Sequence, residues 1–214
     1  MQSFFRLYHN RLLLSKHVFY NALASFIAVI PLTEVSDPVM LLFFRTLILC
    51  GLFSQLFTEP MWREELIADS DAPVSTVKLI QAVAGAGLVL LICFIPVGPL
   101  IHFFIFESAP AELFYHFCSM LSAFLFTALI FLILHKRVLY LRQDISFRLA
   151  AVAPFLLFLL IGAIFEHQNL LIGLMLPPLL PGFFYFDAVP VYLLVLNLLL
   201  HIYLLLNSYW ALRK

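Results

Sequence analysis

Six stretches of the chain are apolar almost without interruption: residues 18–33, 39–57, 77–106, 113–134, 149–165 and 189–210. A helix rises about 1.5 Å per residue, so crossing a hydrocarbon core of about 30 Å takes about 20 mostly apolar residues. The pattern therefore predicts an all-α integral membrane protein with six transmembrane helices. The first and fifth stretches are short for a span and the third is long. A seventh apolar stretch, LLIGLMLPPLLPGFFYF at 170–186, carries Pro177, Pro178 and Pro181. Each proline removes a backbone donor, and unsatisfied backbone is not tolerated against lipid. Residues 168–187 thus read as a re-entrant hairpin on the outer side before the last span. The opening MQSFFRLYHNRLLLSKH places Gln2, Arg6, His9, Asn10, Lys16 and His17 at roughly helical spacing among Phe and Leu. That pattern predicts an amphipathic helix over 1–17 lying in the membrane interface.

Composition agrees with the spans. Of 214 residues, 64% are hydrophobic and 11% charged, against about 25% charged in an ordinary soluble domain. One small water-soluble core does not bury so much apolar surface. The formal net charge of zero leaves no basic stripe for nucleic acid. No internal repeat or low-complexity linker divides the chain, so residues 1–214 read as a single domain. No small-residue cleavage site follows the first apolar stretch, which reads as mature protein rather than a signal peptide.

The charges fix an orientation. Cytoplasmic loops carry the excess Lys and Arg. Arg6, Arg11, Lys16, Arg63, Lys78, Lys136, Arg137, Arg142, Arg148, Arg213 and Lys214 all fall on one side of a six-span arrangement. The opposite connections hold Glu34, Asp37, Glu107, Glu112, Glu166 and Asp187. Both termini are thereby expected inside, whereas a seventh span would strand Arg213 and Lys214 outside.

The exception is Arg45, near the start of the second span. An intramembrane charge is a candidate functional group; the alternative is an Arg that snorkels to the interface or pairs with Glu34 or Asp37.

Enzymatic motifs are missing. No HExxH or GxSxG occurs, and no catalytic residue is expected. Gly-Lys never occurs, so the chain has no phosphate-cradling loop of the GxxxxGK[ST] type. ATP-driven transport would need a separate ATPase. Cys50, Cys93 and Cys118 lie in apolar runs without a CxxC pair, as small buried hydrophobes do, and no metal site is expected. His102, His116 and His167 lie near outer ends of spans. There they can ligate a haem iron or act as interfacial or hydrogen-bonded histidines. Pro96, Gly98 and Pro99 are expected to break the third span near its outer end, either as an unwound segment lining a path or as a plain kink.

The inner connection at 58–76 is acidic and amphipathic. Glu59, Glu64, Glu65, Asp69 and Asp71 surround Trp62 and Arg63, and Trp62, Leu66 and Ile67 have helical spacing. A helix at that position is either an ordinary solvated loop helix or the element that ABC permeases insert into a groove of their ATPase.

The opening LYHNRLLL, the first span ending IAVIPLTEV, and Leu56-Phe57, Glu59, Glu64-Glu65-Leu66, Pro73 and Lys78 in the inner loop resemble the cytochrome c maturation protein B family. Those are the membrane (permease) subunits of an ABC-type haem exporter. The family's Asp-Gly-Ser/Thr step before Leu-Glu is absent, so either Glu64 or Glu65 stands for its glutamate. The resemblance implies a permease homodimer working with two ATPase subunits. Glu59, Trp62, Arg63, Glu64, Glu65, Leu66 and Ile67 would form the coupling loop. It further implies a six-span haem-handling protein, a small one-span subunit and a haem chaperone as partners. The complex would sit in a bacterial or mitochondrial inner membrane and use ATP only through its partner. Haem would be a handled species rather than a resident cofactor. A non-transporting scaffold subunit, or the permease of another ABC-2-like exporter, has the same composition.

Overall fold

The computed structural model describes residues 13–29, 38–58, 66, 76–105, 110–153, 199 and 203. Among them there is no strand. Helix α1 spans Leu13–Ala28, α2 Pro38–Thr58, α3 Thr76–Phe104 and α4 Pro110–Leu139. Residues 144–153 are helical again. Both α2 and α4 open on proline, whose fixed φ suits the first helical position and whose missing N–H has no intrahelical partner to lose there.

The first four apolar stretches are thus helices, with two differences. Helix α1 is already formed at Leu13, so the expected boundary at residue 17 falls inside it. Lys16 and His17 suggested an interface, yet Leu13 and Leu14 precede them within the helix. The second difference concerns α3, which runs through Pro96 and Pro99 without interruption. The unwound segment is corrected to a continuous helix, with which a plain kink is compatible. Prolines are tolerated in apolar helices where neighbouring packing holds the geometry. Here the Phe94 ring packs against Phe117 of α4 with centroids 5.3 Å apart. It also covers Gly98, where a Cβ would lie 2.9 Å from it.

The four helices close a ring in the order α1–α3–α4–α2, and α1 meets α4 across its middle. Two ends can be distinguished. At one, the histidine end, the C-termini of α1 and α3 meet the N-termini of α2 and α4. At the other, the basic end, α4 finishes in Lys136 and Arg137. There Arg142 takes a left-handed φ of 52°, and the Gln143 amide donates to the Arg137 carbonyl at 3.0 Å. The chain reverses and re-enters a helix, and Arg148 donates to Thr58 Oγ1 at 3.1 Å. This bond ties the segment after α4 to the last turn of α2, joining two places that the charge pattern puts on the same side.

Around an apolar core, the bundle buries a set of polar side chains and leaves many large apolar ones exposed. Asn21, Ser25, Thr46, Ser54, His102, His116, Ser119, Ser122 and Thr127 are buried. Phe19, Ile48, Ile92, Phe114 and Ile133 are exposed, and Ile95 is 70% exposed. Several buried hydroxyls are satisfied by their own helix: Ser25 donates to Asn21 O, Thr58 to Ser54 O and Thr127 to Ala123 O. Such back-bonding needs no water. Helices α3 and α4 are long and apolar enough to cross a membrane over 77–104 and 116–139. The described apolar parts of α1 and α2 are shorter.

Toward the basic end the core is aromatic. Phe57 of α2 stacks on Phe131 of α4 at 4.8 Å with 12° between planes. Phe53 and Phe57 both meet Phe124, and Phe131 meets Phe147 edge-on at 6.0 Å. This column joins α2, α4 and the segment that follows α4.

Candidate functional site

At the histidine end the polar side chains converge on Arg45. It stands in the second turn of α2 and is only 3% exposed. Its Nη1 donates to the Ala28 carbonyl at 3.1 Å and lies 3.1 Å from His116 Nδ1. Nη2 donates to Ser119 Oγ at 3.4 Å. One guanidinium thus links α1, α2 and α4. Ala28 is the last residue of α1, and the final four carbonyls of a helix have no intrahelical donor. A cation there also meets the negative end of the helix dipole. Arg45 therefore acts as a cap for α1 supplied by another helix.

Because guanidinium nitrogens only donate, His116 Nδ1 must accept, and the ring proton is assigned to Nε2. That nitrogen is buried and has no hydrogen-bond partner among the described residues, and the same holds for Ser122 Oγ. His116, Ser119 and Ser122 recur every three residues, so α4 turns one polar stripe inward. His102, near the end of α3, completes the cluster. Its ring meets that of His116 edge-on at 5.8 Å.

The arrangement has the means to hold three helix ends together and to present N–H donors in a dry environment. Among the described residues no group of three or more His, Cys, Asp or Glu comes together. Cys50, Cys93 and Cys118 are free and buried, as their apolar surroundings predict. Cys50 Sγ contacts the Ala123 carbonyl and Cys93 Sγ the Val18 carbonyl, both at 4.0 Å.

Of the residues singled out from sequence, Arg45 is where chemistry gathers, and its partners include His116 and Ser119. The usable signal was depth. Arg45, His116 and His102 all lie toward one end of their helices, and the contacts at 3.1 Å and 5.8 Å bring them together. Glu34, Asp37 and His167 lie outside the described residues. So do Glu59, Trp62, Arg63, Glu64, Glu65 and Ile67 of the inner loop, the interfacial segment over 1–12, most of the sixth span and the hairpin over 168–187. Leu66 is described: it is helical and buried in the core. No family model matches the sequence, and no curated protein or solved structure matches it either.

Proposed function

We propose that this chain is a six-span membrane subunit of an ABC-type exporter, of the kind found in the cytochrome c maturation protein B family. It would turn ATP hydrolysis in a partner ATPase into movement of its own helices. The observation that carries this reading is the outward apolar surface with ionisable groups inside: Arg45, His102 and His116 are buried, and Phe19, Ile92, Ile95 and Ile133 are exposed. Lipid is the solvent in which that distribution is stable, and ionisable groups inside such bundles mark functional regions. The bond from Arg148 to Thr58 gives a second support. It braces the base of α2, from which the acidic loop with Glu59, Glu64 and Glu65 departs, so a force on that loop would reach α2 and the segment after α4 together.

In this proposal two copies sit in a bacterial or mitochondrial inner membrane with both termini inside. The re-entrant hairpin over 168–187 lies on the outer side. Haem handling, with release of a haem-loaded chaperone, is the activity that the resemblance implies. Affinity purification of the tagged protein tests the reading. An ABC ATPase should co-purify, and charge reversal at Glu64 and Glu65 should reduce its recovery. A scaffold subunit would bring down the other assembly components without an ATPase. Normal attachment of haem to cytochrome c in a deletion strain would point instead to an exporter of another substrate.

A further inference from the structure

Between α3 and α4 runs a groove of about 400 Å³. Its walls are apolar throughout and include Ile80, Ala84 and Leu91 of α3 and Leu121, Leu125 and Leu132 of α4. Phe124 forms its floor opposite Gly87, where a Cβ would lie 3.2 Å from the ring. The groove follows α3 from Ile80 to Leu91 and α4 from Leu132 back to Leu121. On each helix this is about 17 Å at 1.5 Å per residue. One leaflet of a hydrocarbon core of about 30 Å is about 15 Å deep. The groove is therefore as long as a single leaflet is thick.

Its position selects the leaflet. Ile80 and Leu132 lie toward the basic end, and Lys136 follows Leu132 by four residues on the same face of α4. Lys136 is exposed, so a cation stands one helical turn beyond the end of an apolar channel. An aliphatic chain joined to a phosphate matches both features at once. We propose that the groove holds one acyl chain of an inner-leaflet anionic phospholipid, with the lipid phosphate at Lys136. This rests on the membrane reading above and adds a specific ligand site to it.

The full-length protein, extracted in mild detergent from membranes containing equal parts phosphatidylglycerol and phosphatidylcholine, tests the site by native mass spectrometry. One retained phospholipid per chain is expected, with phosphatidylglycerol favoured about fivefold, the effect of one basic residue at the membrane surface. Ala84→Trp should fill the groove and abolish retention. Leu125→Trp fills it from the other wall and serves if the first variant does not fold. Lys136→Gln should keep a retained lipid and lose the preference. Equal retention by the wild type and a folded tryptophan variant would overturn the proposal. So would a disulfide between Leu88→Cys and a cysteine placed within 189–210, because protein would then occupy the groove. Release of the chain into the aqueous fraction by alkaline washing is a separate outcome, since it removes the membrane reading as well.

Discussion

The two ends of the bundle are held together by different physics. At the histidine end Arg45 bonds a helix-terminal carbonyl, a histidine and a serine. At the basic end Phe53, Phe57, Phe124, Phe131 and Phe147 pack ring against ring. In lipid, apolar side chains gain no hydrophobic energy by leaving one apolar surface for another, so association depends on close packing and on interhelical hydrogen bonds. The aromatic end uses the first and the arginine end the second. Ring packing depends on shape and tolerates modest change. A buried guanidinium depends on every acceptor, because losing one leaves charge without compensation.

A large effect is expected from this contrast at His116. His116→Leu should destabilise the folded state by about 2–3 kcal/mol, the range for leaving a buried charged donor without its neutral acceptor. Adding Arg45→Met should recover much of that loss, since removing both partners relieves the stranded charge. Denaturation of the two variants in detergent checks the pair. A double variant no better than His116→Leu would show that Arg45 does not depend on that histidine. At the other end, Phe131→Ala should cost about 3 kcal/mol through the cavity it leaves, yet Phe131→Leu should cost under about 1.5 kcal/mol. Equal sensitivity to both would erase the distinction between the ends. A smaller effect, about 1 kcal/mol, is expected from Thr58→Val, which removes the acceptor used by Arg148. The three cysteines should stay inert to a water-soluble maleimide until the protein is denatured, because each is buried; rapid labelling of the native protein would contradict the packing at both ends.

Much of this bundle could be read in advance. Apolar runs gave the first four helices, and two of them are long and apolar enough to cross a membrane; length and composition are what make such a helix legible. Charge placement grouped Arg148 with the connection after the second apolar stretch, and its bond to Thr58 puts the two at one end of the bundle. Helix ends were less legible: Lys16 and His17 sit within α1, and Pro96 and Pro99 within α3. At Pro96 and Pro99 the local signal was outweighed by packing of α3 on α4, which the pattern along one segment does not encode. The same limit applies to Arg45. Its charge was conspicuous, but His116 lies 71 residues away and became its neighbour only through the antiparallel meeting of α2 and α4 with α1 and α3. The aromatic column had no distinguishing mark in a chain with 24 phenylalanines.

Whether the outward apolar faces of this bundle lie in a bilayer is decided by cysteine accessibility in sealed membrane vesicles. Cys50, Cys93 and Cys118 would first be replaced by alanine, and single cysteines placed at Gln143, Ser108 and Ile95. A membrane-impermeant maleimide should label Gln143→Cys from the cytoplasmic or matrix side only and Ser108→Cys from the opposite side only. Ile95→Cys, exposed on α3, should react from neither side, because what it faces is lipid. Prompt labelling of Ile95→Cys by the aqueous reagent, or labelling of Gln143→Cys and Ser108→Cys from the same side, would contradict that placement.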